Sequence, residues 1–303
     1  MKNIVHWIST WMKAARAPFL TVSFIPAILG GAIAWKDGSF DWTIWLLTTI
    51  GIVLAHSAAD FIDDYFDYKN GNLGNKEQQF HDSPLIRKEI TPRQVLIATF
   101  ICLIPAIGIG IYLFTLVGWP VLWLTVLGTF IVFFYTSPPF RLNYRGLGET
   151  ALFIAFGPMI VFGVYYVLTN QFSWEPILVS IPIGIFTMNV GLVSNTFDFD
   201  DDVKSKKHTF PVRFGRPNAV KMLNIGTTIA FLLVIASALA GWISYFSLSI
   251  LILIYMAISI LHNTKKFLEP HRYTKTMGTA IALTSLTGVL LTLGYIGEIL
   301  LAM

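Results

Sequence analysis

The feature that most constrains this chain is a series of nine long, unbroken apolar runs. They fall at about 18–35, 42–62, 95–116, 121–136, 149–169, 176–197, 219–240, 243–261 and 277–299. A helix needs about 20 apolar residues to cross the hydrocarbon of a bilayer, whereas a barrel strand needs only about 10. The runs are continuous rather than alternating, so they predict helices. The fourth is short, with Trp119 and Tyr135 placed to act as interface anchors. Composition agrees: the 303 residues are 55% hydrophobic and only 13% charged, and mean hydropathy is +0.66. A soluble domain carries about 25% charged residues, so this chain lacks the charge to coat a water-facing core. The expected fold is all-α: a single integral-membrane domain, 1–303, built as a bundle of nine transmembrane helices.

The basic residues set the expected orientation. With nine spans, 20 of the 21 Lys and Arg fall on the N-terminal side, and only Lys36 falls on the other. The positive-inside rule then makes the N-terminus and the long loops cytoplasmic, in the cell membrane. The same asymmetry accounts for the pI of about 9.1 without nucleic acid as a partner. Ahead of the first run, the stretch from Ile4 to Met12 is amphipathic and reads as an interfacial helix; no cleavable signal peptide is expected. The lone Cys102 excludes an intramolecular disulfide and a multi-cysteine zinc site.

Aspartates interrupt this pattern twice, at the ends of the second and sixth runs. The first cluster is Asp60-Phe61-Ile62-Asp63-Asp64-Tyr65-Phe66-Asp67. Helical spacing stacks Asp60, Asp64 and Asp67 on one stripe, with Asp63 beside it. The second is Asp198-Phe199-Asp200-Asp201-Asp202, in which Asp198 pairs with Asp202 at i, i+4 and with Asp201 at i+3. Each cluster leads into a loop with proline and basic residues, Pro84 to Arg87 and Pro211 to Arg213, then a new span. This is a weak internal duplication, and such repeats place a shared site at their interface.

An aspartate at mid-membrane costs about 2.5–3.5 kcal/mol on insertion scales, and several together repel. A divalent cation relieves both costs. Mg²⁺ prefers oxygen ligands and bridges carboxylates to phosphate, so two carboxylate faces can clamp a diphosphate. An EF-hand at Asp198 is excluded, because Val203 stands where glycine is required and Thr209 where glutamate is required. A channel or transporter would carry acids at several depths. Here the carboxylates gather at one end.

These motifs resemble the UbiA superfamily of membrane prenyltransferases. The resemblance extends to Arg16-Ala17-Pro18 before the first span and Tyr135-Thr136-Ser137-Pro138-Pro139 after the fourth. It also includes Arg145-Gly146-Leu147-Gly148-Glu149, Phe156-Gly157-Pro158 and Gly163-Val164-Tyr165-Tyr166 in the fifth. That series is most similar to the 1,4-dihydroxy-2-naphthoate prenyltransferases of menaquinone synthesis. Asp60 and Asp63 stand where the family's first motif commonly has Asn.

The resemblance implies a Mg²⁺-dependent enzyme that moves an isoprenyl group from an allylic diphosphate to an aromatic acceptor. It implies Asp60, Asp64, Asp198 and Asp202 as metal ligands, with Asp63, Asp67 and Asp201 as further ones. Arg16, Lys69, Arg141, Lys207 and Arg213 become candidates to neutralise the phosphates. Tyr135, with Tyr65, Phe66 and Phe197, becomes a candidate to stabilise an allylic cation through its ring face. His56, one turn before Asp60, is placed to orient it. The alternatives are transfer to a glycerol phosphate lipid, which requires a further anion site, and a cation transporter or channel.

Overall fold

The computed structural model describes residues 2–72 and 83–302. Lys76, counted above among the basic loop residues, lies outside them. Every regular element among the described residues is helical. Helix α1 (Lys2–Ala14) is followed by a 3₁₀ turn (Ala17–Leu20), α2 (Thr21–Lys36), α3 (Trp42–Lys69), α4 (Pro92–Val117) and α5 (Trp119–Phe134). Next come α6 (Gly148–Ile154), a π-helical turn (Ala155–Met159), α7 (Ile160–Thr169) and α8 (Glu175–Phe197). The short α9 (Phe199–Lys204) and α10 (Phe210–Phe214) precede α11 (Arg216–Leu239). A 3₁₀ stretch (Tyr245–Leu253) runs into α12 (Ile254–Thr264), and α13 (Tyr273–Ala302) closes the chain.

Eight helical segments among the described residues are long and apolar enough to cross a membrane. The ninth expected span is α5, whose 16 residues rise only about 24 Å. The bundle is that of a multi-pass membrane protein, and large apolar side chains such as Ile101, Trp123, Leu232, Ile252 and Tyr255 stay exposed on its outside. Helix α1 matches the amphipathic stretch. Val5, Trp7, Ile8 and Met12 face outward, while Thr10 and Ala14 are buried against the bundle.

Helix α3 positions the first aspartate cluster through its length. Its 28 residues rise about 42 Å, against roughly 30 Å of hydrocarbon, so its last turns stand beyond the apolar layer. The N-cap Asp41, accepting from the Ile44 N–H, fixes where it starts. In the fifth span Pro158 has no N–H to give its helix, and there the helix widens into the π turn. Gly157 lies at that turn against α8, where a Cβ would sit 2.8 Å from the Gly184 Cα. The close approach brings the start of α6 beside the end of α8. At the opposite end of the bundle, Lys36 pairs with Glu175, Tyr295 donates to Glu175 at 2.9 Å, and Tyr165 donates to Asp37 at 2.8 Å.

Candidate active site

A cavity of about 390 Å³ runs up the bundle, and its charged lining is confined to the end where the aspartates lie. Along α3 its lining is Thr48, Gly51, Ile52, Ala55, His56, Ala59, Asp60, Asp63 and Asp67, a single stripe at helical spacing. Helix α4 adds Leu103, Ile107 and Leu113, and α5 adds Val121, Gly128 and Val132. The π turn and α7 add Phe156, Met159, Gly163 and Val167. Leu113, Val121 and Val167, all buried, pack together and floor the apolar end.

Two cations sit inside the carboxylate clusters. Arg16 reaches Asp60 at 3.9 Å, Asp63 at 3.3 Å and Asp64 more closely still. It stands in the left-handed region at φ 46°, in the break between α1 and the 3₁₀ turn, an uncommon conformation for a side-chain-bearing residue. Lys207 lies 3.1 Å from Asp67, with both side chains buried. Burial works against the Lys207 ammonium, but Asp67, Asp202 and Asp63 outweigh it and hold it well above the usual lysine range. Asp202 is pushed up to about 7, chiefly by burial, with Asp198 and Asp67 adding and Lys207 opposing.

The second cluster forms as its spacing requires. Helix α8 stops at Asp198, yet the Asp202 N–H still donates to the Asp198 carbonyl at 2.9 Å, which keeps the two in register. Asp198 accepts from Ser194 at 3.1 Å and Tyr273 at 3.2 Å, and Asp202 accepts from Thr209 at 3.1 Å. Asn72 spans the clusters, donating to Asp67 at 3.3 Å and Asp202 at 3.5 Å.

The structure sorts the residues singled out by sequence. Asp60, Asp63, Asp67, Asp198, Asp202, Arg16, Lys207 and Tyr135 all line the cavity. Asp64 does not: α3 presents Asp60, Asp63 and Asp67 to the cavity, and Asp64 turns to Arg16 and Ser83. Asp201 pairs with Lys204 on the exposed side of α9. Lys69 and Arg213 are exposed, Arg213 donating to the Arg145 carbonyl at 2.7 Å, and Arg141 lies over the Tyr144 ring. Tyr135, expected as an interface anchor, lines the cavity. Tyr65 packs on Phe66, and Phe197 stacks on Tyr273. His56 Nε2 is 3.8 Å from Asp60, while its Nδ1 hydrogen-bonds Ser23 at 2.8 Å.

Sequence reasoning missed Tyr144, which donates to Asp67 at 2.8 Å, as well as Tyr273, Ser83 and Asn72. Only tertiary packing brings them in. Asn72 carries no periodic signal, and Tyr273 begins a helix over two hundred residues after the first cluster.

Asp60 Oδ2 and Asp63 Oδ1 are buried without a hydrogen-bond partner. Oxygen donors of this kind, with no cysteine among the cavity residues, fit Mg²⁺. No group of three His, Cys, Asp or Glu side chains among the described residues converges into a ready-made cage. That also fits Mg²⁺, which takes one or two carboxylates and completes its shell with water and substrate phosphate.

Comparison with known proteins agrees with the architecture. A sequence model described as the UbiA prenyltransferase family matches residues 23–286. The 2-carboxy-1,4-naphthoquinone phytyltransferase of Synechocystis is 26% identical over 94% of this chain and 92% of its own. The 1,4-dihydroxy-2-naphthoate octaprenyltransferase of Bacillus subtilis is 26% identical over 78% of each chain. The fold resembles a UbiA homologue from Aeropyrum pernix, with a TM-score of 0.70 at 15% identity over 92% of this chain and 98% of that one. It also resembles a UbiA homologue from Archaeoglobus fulgidus solved with DMAPP and Mg²⁺ bound, with a TM-score of 0.58 at 14% identity over 92% and 99%.

Proposed function

The chain belongs to the UbiA prenyltransferase family and is a membrane prenyltransferase, and from that premise we propose that it transfers an isoprenyl group from an allylic diphosphate to a hydroxylated aromatic ring of the 1,4-dihydroxy-2-naphthoate type, in lipid-quinone synthesis, with Mg²⁺. The observation that carries this reading is the cavity itself. It joins two carboxylate faces with embedded cations at one end to an apolar compartment at the other.

Six carboxylates meet two cations there: Asp60, Asp63, Asp64, Asp67, Asp198 and Asp202 against Arg16 and Lys207. With all six ionised, four negative charges remain, so a diphosphate enters with metal cations. Asp60, Asp63, Asp67, Asp198 and Asp202 would hold Mg²⁺, whose charge neutralises the leaving diphosphate. Arg16 and Lys207 are near enough to the same point to pair with phosphate oxygens.

The prenyl tail fills the apolar stripe. The donor C1–O bond breaks, its electron pair leaving on the diphosphate. Tyr135, Phe156, Tyr273 and Phe19 line the cavity, and aromatic faces stabilise an allylic cation by up to about 2 kcal/mol when desolvated. A ring carbon of the acceptor then gives the electron pair for the new C–C bond, and the ring loses a proton.

Among the described residues that line the cavity, Arg16 and Lys207 are the only cationic side chains. A glycerol phosphate acceptor would need a further one, which favours an aromatic acceptor. The apolar floor likewise speaks against an ion pathway. The deciding experiment is calorimetry of the folded protein with Mg²⁺ and geranyl thiodiphosphate, alongside a radiolabel assay with geranyl diphosphate and 1,4-dihydroxy-2-naphthoate. Donor binding that EDTA abolishes is expected; a folded protein that binds no donor contradicts the proposal.

A further inference from the structure

One wall of the cavity is unlike the rest. Beside the carboxylates, Tyr135, Asn143 and Asn195 line it, and Glu149 stands behind them at the start of α6. All but Tyr135 are more than nine-tenths buried. Asn143 Oδ1 and Glu149 Oε2 have no hydrogen-bond partner. Both orphaned atoms are acceptors. A buried acceptor left unpaired is costly, and here two lie in one wall.

Glu149 also fixes what Asn195 shows to the cavity. The Asn195 amide donates from Nδ2 to Glu149 Oε1 at 2.9 Å. A carboxylate accepts only, so the amide nitrogen must face Glu149 and Oδ1 is left for the cavity. The wall therefore offers an acceptor, Asn195 Oδ1, and asks for a donor. Asn195 lies one helical turn before Asp198, which sets this wall next to the diphosphate end, where a ring must stand to reach the donor C1.

We infer that this wall is the acceptor subsite: Asn195 takes a hydrogen bond from a ring hydroxyl of the aromatic acceptor, and Glu149 is the positioning residue that locks the Asn195 amide in its accepting orientation. The inference rests on the prenyl-transfer reading and adds to it the feature by which the ring is recognised. A site built to bind a hydroxyl rejects an analogue without it, because its own polar groups are then left unpaired.

Glu149→Gln tests it with almost no change of shape. The new amide can donate as well as accept, so the Asn195 amide is no longer locked and can present its NH₂ to the cavity in place of Oδ1. The dihydroxy acceptor should then lose about 10- to 100-fold in kcat/KM, mainly through KM, the range for a buried polar group left without its partner. The parent's preference for that acceptor over its O-methylated analogue should largely vanish. Binding of geranyl thiodiphosphate with Mg²⁺ should stay within twofold of the parent, and Glu149→Asp should recover part of the selectivity.

A Glu149→Gln protein that keeps full selectivity overturns the inference. So does one in which donor binding falls in step with acceptor use, since that is a general structural defect. Should Glu149→Gln not fold, Asn195→Ser carries the same comparison, and preserved selectivity there overturns it equally. Absence of donor binding by the parent is a separate result: it removes the prenyl-transfer reading itself, and the subsite with it.

Discussion

Lys207→Met is the most direct probe of the embedded cations. It keeps the length and apolar stem of the side chain and deletes its charge. In the structure Lys207 is 3.1 Å from Asp67, with side-chain exposures of 7% and 8%. Asp202 feels the same ammonium. Removing one partner of a buried pair leaves the other uncompensated and costs about 3–5 kcal/mol. At about 2–4 °C per kcal/mol for larger chains, the metal-free variant should melt roughly 6–20 °C below the parent. Mg²⁺ can take over the missing charge, and without the lysine it meets less competition. A cation at one hundred times its Kd adds about 2.7 kcal/mol, so the gap should narrow as Mg²⁺ is raised. The assay is thermal unfolding in one detergent, with EDTA and then with increasing Mg²⁺. A metal-free melting point equal to the parent's, or a gap indifferent to Mg²⁺, refutes the reasoning.

Three further outcomes are expected. Asp202 is held up to about 7, well above the 3.8 of the unfolded chain, so in EDTA its contribution to stability is complete below pH 4 and is lost as pH rises to 7; Mg²⁺ affinity should run the other way, rising with pH to about 7 and then levelling, and a flat titration would show that Asp202 is not a ligand. The tail compartment spans fifteen residues of α3 from Asp63 to Thr48, about 22 Å, and ends on Leu113; Leu113→Ala should shift the kcat/KM ratio towards a longer donor by about 10-fold or more, and an unchanged donor preference would move the floor elsewhere. Single cysteines at the exposed positions Lys69 and Lys204, in a Cys102→Ala background, should react with impermeant maleimide in inverted vesicles and not in intact cells; the reverse pattern would invert the topology expected from the basic loops.

Much of this was readable from sequence because bilayer physics leaves few choices. An unbroken apolar run has to be a helix, and eight of the nine expected spans reappear long and apolar enough to cross a membrane, whereas the helix at the remaining one, α5, is shorter than that. The i, i+4 spacing of Asp198 and Asp202 survives the break in the chain, because the backbone hydrogen bond does. Within the first cluster, spacing alone was ambiguous. Asp60, Asp63 and Asp64 all lie within one turn, and periodicity cannot say which of two adjacent carboxylates faces inward. Tertiary contacts decide it: Asp64 turns to Arg16 and Ser83 and does not line the cavity, while Asp60 and Asp63 do. The basic candidates divided for a similar reason: Lys69, Arg141 and Arg213 serve the surface, while Lys207, from the same kind of loop, is buried. Asn72 and Tyr144 complete the site only through folding, and no local pattern marks them.

The division of the cavity into a charged end and an apolar end also sorts what leaves it. Each CH₂ transferred to water costs about 0.8 kcal/mol, so a tail as long as the compartment cannot depart through the aqueous side. Inorganic diphosphate has the opposite partition and cannot enter lipid. The two products of one turnover must therefore separate in perpendicular directions, the anion along the bundle axis past Asn72 and Lys207, the prenylated ring sideways between helices. Once the C1–O bond is cut, the lipid product has lost its only charged tether to the aspartates, and the bilayer itself becomes the sink that draws the reaction forward.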